Sequence, residues 1–469
     1  MQEVLFDYEL NPTTWAYLSS LMTVGLFFKF RRFWSVRNLD LVALIALAPG
    51  MLLLYHGLRK QWEGAEQLDE ALWQLGHTLE QLGYIWLFSV GALFMIRLLV
   101  DTIMVRRPLL EPNLSASGLT FTCVSLLVFL TANVITTKRA ERLEDVLPPS
   151  PTQQGPGYPL FYSFACSSAA AVPVVETPPP ERTDLLEEDL LEEPEPLPAQ
   201  VEKADMPQVA PVSSAQKLGR QITAILAHLA VLIGVVLVGY RHFDNIHTGV
   251  AVASLYLLLF CTSQMVGRVD HVLPAALLVW AIEAYRRPVV AGILIGTAAG
   301  LIYYPLFLLP LWCGFYWRRG LFRFAAGVIG ALLVLVFFLT IGPGGLESLP
   351  EHLKLMFGWM NPLRETTGFW ENHEPAFRLP VLAAFVALCG GLALWPAQKN
   401  LGTLLSCSAL VMLGVQFWHP DQGGVYMAWY LPLLLLTIFR PNLEDRVAIT
   451  ALPEGRGRWW KRRSEPAGT

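Results

Sequence analysis

Long apolar runs follow one another along this chain, separated by short polar or basic turns. They are Trp15–Phe28, Leu39–Tyr55, Gly83–Val100, Leu119–Val134, Ile222–Val238, Gly249–Cys261, Val269–Tyr285, Val289–Phe315, Phe322–Ile341, Leu379–Leu394, Leu401–Phe417 and Tyr426–Phe439. Most approach the roughly 17–25 residues that cross a hydrocarbon core. They are continuous rather than alternating, which predicts helices and not ten-residue barrel strands. The expected fold is an all-α polytopic transmembrane bundle, with about 11 full spans plus one broken hairpin. The hairpin is Val289–Phe315, interrupted at Tyr303-Tyr304-Pro305, because proline disfavours helix at the residue before it. Its half-helices are short and survive at membrane depth only inside protein. The alternative is one long span, which would move every later basic loop to the other side.

Two stretches carry a different periodicity. Trp62–Leu82 places Ala65, Leu68, Leu72, Leu75, Leu79 and Leu82 on one helical face, and is expected to lie flat on the outer interface against the protein's own spans. Leu349–Trp359 reads as a second amphipathic helix. Between the fourth and fifth runs, residues 138–216 are rich in Pro, Ala and Glu, with few aromatics and a run of like charge, so a largely disordered acidic outer linker is expected. The chain then divides into an N-terminal four-span region (1–137), that linker (138–216), a C-terminal bundle (217–440) and a basic tail (441–469).

Composition sharpens this picture. Only 15% of the 469 residues are charged, against about 25% in soluble chains. The net charge of −4 suggests no nucleic-acid partner; the surrounding partners are membrane lipids, and the linker can recruit a protein. Lys29, Arg31, Arg32, Arg37, Arg106, Arg107, Arg286, Arg287, Arg319 and the tail arginines fall on one side if Val289–Phe315 is a hairpin. The positive-inside rule then puts the N-terminus outside and the C-terminus in the cytoplasm. The six cysteines form no CxxC pair and read as small buried hydrophobes. No Walker loop, dinucleotide fingerprint or GxSxG elbow occurs, so no cofactor and no metal are expected.

The polar residues at the expected outer ends are the candidates for chemistry. Asp270 and His271 open a span beside Arg268; ionisable groups near membrane depth are costly unless paired or used. An Arg268–Asp270 pair that only positions the helix is the plainer reading. Glu371 and His373 sit in the longest outer loop and can serve as base or ligand, although an aromatic belt explains their neighbours equally well. His419 and Asp421 form a polar turn between the last two spans and can meet Asp270 across the bundle. Tyr426, Trp429 and Tyr430 read as interfacial anchors.

One run carries a family likeness. Gln264 and Asp270, then Ala291, Gly292, Gly296 and Ala298, then Tyr304, Pro305 and Pro310 resemble the GT-C superfamily of polytopic glycosyltransferases, in particular bacterial mannosyltransferase-like members that use polyprenyl-phosphate sugars. Ile302 stands where that pattern has a lysine before the break. The resemblance implies a bacterial inner-membrane enzyme taking a lipid-linked sugar donor at the outer face. Asp270 would be the base, with His271, Glu371 and Asp421 as further catalytic candidates. Arg268 would hold the donor phosphate, and Tyr303, Tyr304, His373 and His419 would line the substrate. Two other classes stay open: a non-catalytic relative recruiting partners through its acidic linker, and a transporter, whose broken helices also surround polar sites.

Overall fold

The computed structural model describes residues 11–101, 112–136, 142–147 and 214–441, apart from positions 318, 342–346, 348, 360, 362–363, 365 and 397–398. The tail arginines, Arg106, Arg107 and most of the acidic linker lie outside the described residues. What is described is helical, without a strand: α1 Pro12–Phe27, α2 Val36–Ile45, α3 Leu47–Gln67, α4 Glu70–Asp101, α5 Ala116–Thr136, α6 Leu143–Val146, α7 Ser214–Arg241, α8 Ile246–Leu258, α9 Phe260–Gln264, α10 Val269–Glu283, α11 Pro288–Leu301, α12 Leu309–Tyr316, α13 Leu321–Ile341, α14 Leu349–Phe357, α15 Arg378–Leu394, α16 Leu401–Trp418 and α17 Leu431–Ile438. Among the described residues seven helical stretches are long and apolar enough to cross a membrane. Several of the remaining runs form shorter helices, such as α8 and α11.

The amphipathic stretch 62–82 does not form a separate flat helix. It is the tip of an antiparallel pair in which α3 and α4 continue past the apolar runs and join at Leu68, whose φ of 56° turns the chain. Glycines spaced by seven make the contact. A Cβ on Gly57 would stand 2.6 Å from the Glu80 backbone nitrogen, and one on Gly76 would stand 2.6 Å from that of Gln61. Small residues at such seams let helix backbones touch. The 32 residues of α4 measure about 48 Å, more than the roughly 30 Å thickness of a bilayer core.

The break at Tyr303 produces a true return. The Tyr316 hydroxyl donates to the Tyr285 carbonyl at 2.5 Å, and Gly320 lies against Pro288. The chain therefore leaves α12 at the end where it entered α11. From there α13 runs parallel to α11, sealed by Gly292, Gly296 and Gly327, where an added Cβ would run into facing backbone.

Contacts divide the bundle into two ends. At one, Arg97 binds Asp40 through Nε (3.0 Å) and Asp101 (3.1 Å), and Arg440 binds the other Asp101 oxygen at 2.7 Å. This largely buried network ties α2 and α4 to Arg440, two residues past the end of α17. The exposed arginines Arg31, Arg32, Arg286 and Arg287 share this end. The other end gathers the polar loops and every candidate residue.

Candidate functional site at the polar end of the bundle

The site begins with a missing hydrogen bond. Pro274 lies inside α10 and has no N–H to give the carbonyl four residues back. That carbonyl belongs to Asp270, and the Trp429 indole supplies the donor at 3.0 Å. The short loop after α16 is thereby fastened to the start of α10. The Asp270 side chain is buried, with Arg268 Nε at 4.0 Å and His271 Nε2 at 3.9 Å. An acid in the first turn of a helix is also favoured by the helix dipole.

Aromatic rings connect this acid–histidine pair to a second one. Tyr426 stacks on Trp429, with centroids 4.4 Å apart, and lies 4.6 Å from both His271 and His419. His419 in turn lies 4.7 Å from Tyr304, whose ring is 4.0 Å from Tyr303. The two pairs, Asp270–His271 and His419–Asp421, thus flank one tyrosine. The loop that carries the second pair is shaped by Gln416, whose Oε1 accepts from the backbone of Gly424 and Tyr426.

Each histidine has a fixed surrounding. His419 Nδ1 accepts from the Asp421 backbone at 3.1 Å, which leaves the ring proton on Nε2. Burial pushes this imidazole down to about 3, the nearby Asp421 charge opposing it. The His271 ring is fully buried, and neither nitrogen has a hydrogen-bond partner among the described residues. It borders a cavity of about 10 Å³ shared with His228, Tyr256 and Thr262, room for roughly one water.

Two arginines complete the end, and the sequence reading did not single them out. Arg364 donates to Asp421 Oδ2 at 2.6 Å, while a short bridge between Thr367 and Asp421 holds the two loops together. Arg378 opens α15, is buried, and donates to the Trp418 carbonyl at 3.3 Å. Arg364, Tyr303, Tyr304 and Asp421 are its neighbours at this end.

The structure therefore brings Arg268, Asp270, His271, Tyr303, Tyr304, His419 and Asp421 to one place. It leaves Glu371 and His373 outside it. Both are exposed; His373 Nδ1 donates to the Phe369 carbonyl at 3.0 Å, and the adjacent Asn372 bonds His77 at 2.7 Å. That loop docks on α4 instead of facing Asp270. Tyr426, Trp429 and Tyr430, expected as interfacial anchors, are buried scaffold. No group of three or more metal-ligating side chains forms among the described residues. Comparisons with known protein families, curated proteins and solved structures return no match.

Proposed function

We propose that this chain is a GT-C-like integral membrane glycosyltransferase that moves a sugar from a polyprenyl-phosphate donor to an acceptor hydroxyl at the outer face of a bacterial inner membrane. The observation that carries the reading is the convergence of two carboxylates and three arginines at one end of the bundle, beside a broken helix pair. A transferase of this kind needs a base for the acceptor and cations for a phosphate leaving group. Asp270 is the proposed base, held by the Trp429 contact on its own carbonyl. Arg364 and Arg378, together with Arg268, are the proposed holders of the donor phosphate, to which guanidinium groups can bind bidentately. Tyr303 and Tyr304 offer ring faces to the sugar.

In the matching topology the polar end faces outward. In it the N-terminus and linker are outside and the C-terminus is cytoplasmic; the proposed count of about 11 spans plus the hairpin adds shorter helices such as α8 to the seven long ones. A second reading, a non-catalytic relative, is favoured by Ile302, an apolar buried residue at the place of the pattern's lysine.

The test is transfer from a set of polyprenyl-phosphate sugars in reconstituted vesicles. Asp270→Asn keeps size and loses basicity, so turnover should fall by roughly 10²–10⁴, while Arg364→Gln should raise the KM for the donor. Undiminished turnover in Asp270→Asn would remove Asp270 as base and turn attention to Asp421. A wild-type chain inactive with every donor would favour the non-catalytic reading.

A further inference from the structure

Within the span from 137 to 213 one island is described, and it is docked on the bundle. Leu143 is fully buried and Leu147 and Arg142 nearly so. The Leu143 backbone nitrogen donates to Gln264 Oε1 at 3.1 Å, and the Gly267 backbone nitrogen donates to Glu144 Oε2 at 2.7 Å. Arg142 pairs with the same carboxylate at 2.5 Å. A Cβ on Gly267 would stand 2.9 Å from Glu144 Oε1, so the glycine leaves the space that the carboxylate fills. The turn so covered runs straight on into Arg268 and Asp270.

Four helical residues do not persist alone in water. This segment keeps its shape because it is docked, through a charge-assisted hydrogen bond, a hydrogen bond to a side-chain amide and two buried leucines. The turn beneath has other supports. Trp429 holds Asp270, and the Trp280 indole on α10 donates to Ala230 of α7 at 3.0 Å. As it stands the end is shut: Met265, Asp270 and His271 are all buried. A solute reaches Asp270 only after something moves, and the segment docked over the turn that leads into Asp270 is the one from the linker.

We infer that Arg142–Leu147 is a strap, carried by the linker, that closes the Gln264–Asp270 turn, and that its release opens the Asp270 side of the polar end. The strap acts in this way whatever chemistry the end performs, so its test is separate from the transferase assay.

The test uses the full chain in nanodiscs and two readouts. One is amide hydrogen exchange across residues 264–271; the other is hydroxyl-radical oxidation of Met265. Glu144→Ala removes the acceptor for the Gly267 amide. A hydrogen bond to a charged group is worth enough to slow opening by roughly ten- to a hundredfold. Exchange over 264–271 should rise by that factor and Met265 oxidation should increase, with peptides of α16 unchanged. The pair Leu143→Ser and Leu147→Ser should do the same without touching the carboxylate. Unchanged exchange and oxidation in Glu144→Ala would overturn the strap. So would equal loosening of α16 in that variant, because the segment would then be a brace for the whole bundle.

Discussion

At the scale of single residues, the polar end is organised by what proline withholds. The Asp270 carbonyl has lost its helical donor, and one indole replaces it. Trp429→Phe should therefore cost about 1–3 kcal/mol, the penalty of an orphaned buried acceptor. In a Pro274→Ala background the helix regains its own N–H, and the same substitution should cost clearly less. Chemical unfolding of the four variants of this cycle decides, and equal costs in both backgrounds would reject the account. His419 gives a pH prediction. Its imidazole is held down from 6.5 to about 3 by burial in the loop beyond α16. The folded state disfavours the proton, so the full contribution to stability is present above about pH 6.5 and is lost as pH falls toward 3. The thermal midpoint of the wild type should drop between pH 6.5 and 4, and that of His419→Gln should drop less; parallel profiles would exclude this histidine as the cause. Asp270, His271, His419 and Asp421 were legible because polar residues at the ends of apolar runs stand out. Arg364 and Arg378 were not, since an arginine beside a run looks like an ordinary interfacial charge. Glu371 and His373 misled because sequence proximity does not say which way a loop turns.

At the scale of elements, the break at Tyr303 was readable from one proline, and α14 from its amphipathic stripe. The fate of residues 62–82 was not, since a helix packed on a partner helix shows the same apolar stripe as one lying on a membrane. The discriminating signal was present in Gly50, Gly57 and Gly64 facing Gly76 and Gly83, spaced by seven on both helices. The proposed topology is tested at this scale. Trp359 and Trp317 are both exposed and lie near opposite ends of the bundle. In intact cells a membrane-impermeant maleimide should label Trp359→Cys and leave Trp317→Cys untouched until the membrane is opened. The reverse pattern would invert the assignment.

At the scale of the whole molecule, charge joins the N-terminal helices α2 and α4 to the chain just beyond the last described helix. Asp101 is shared between Arg97 and Arg440 at the basic end, where Asp101 and Arg440 are buried and Arg97 is half-buried. Asp101→Asn leaves the Arg97 and Arg440 guanidinium groups without the carboxylate they share. Unfolding in detergent should show a loss of roughly 3–5 kcal/mol, much of it recovered when Arg440→Met is added. A loss below about 1 kcal/mol would mean that water already solvates the network. The sequence held this link in plain view, but nothing in it said that an aspartate at 101 and an arginine at 440 would meet. The return at Tyr303 has a consequence of parity. Asp270 precedes it in the chain and Asp421 follows, with an even number of traverses between them only because α11 and α12 cancel each other. Were the segment to straighten into a single traverse, every later helix would be inserted upside down. The two acid–histidine pairs would then face opposite compartments, so one kink of a few residues decides whether this end of the bundle exists at all.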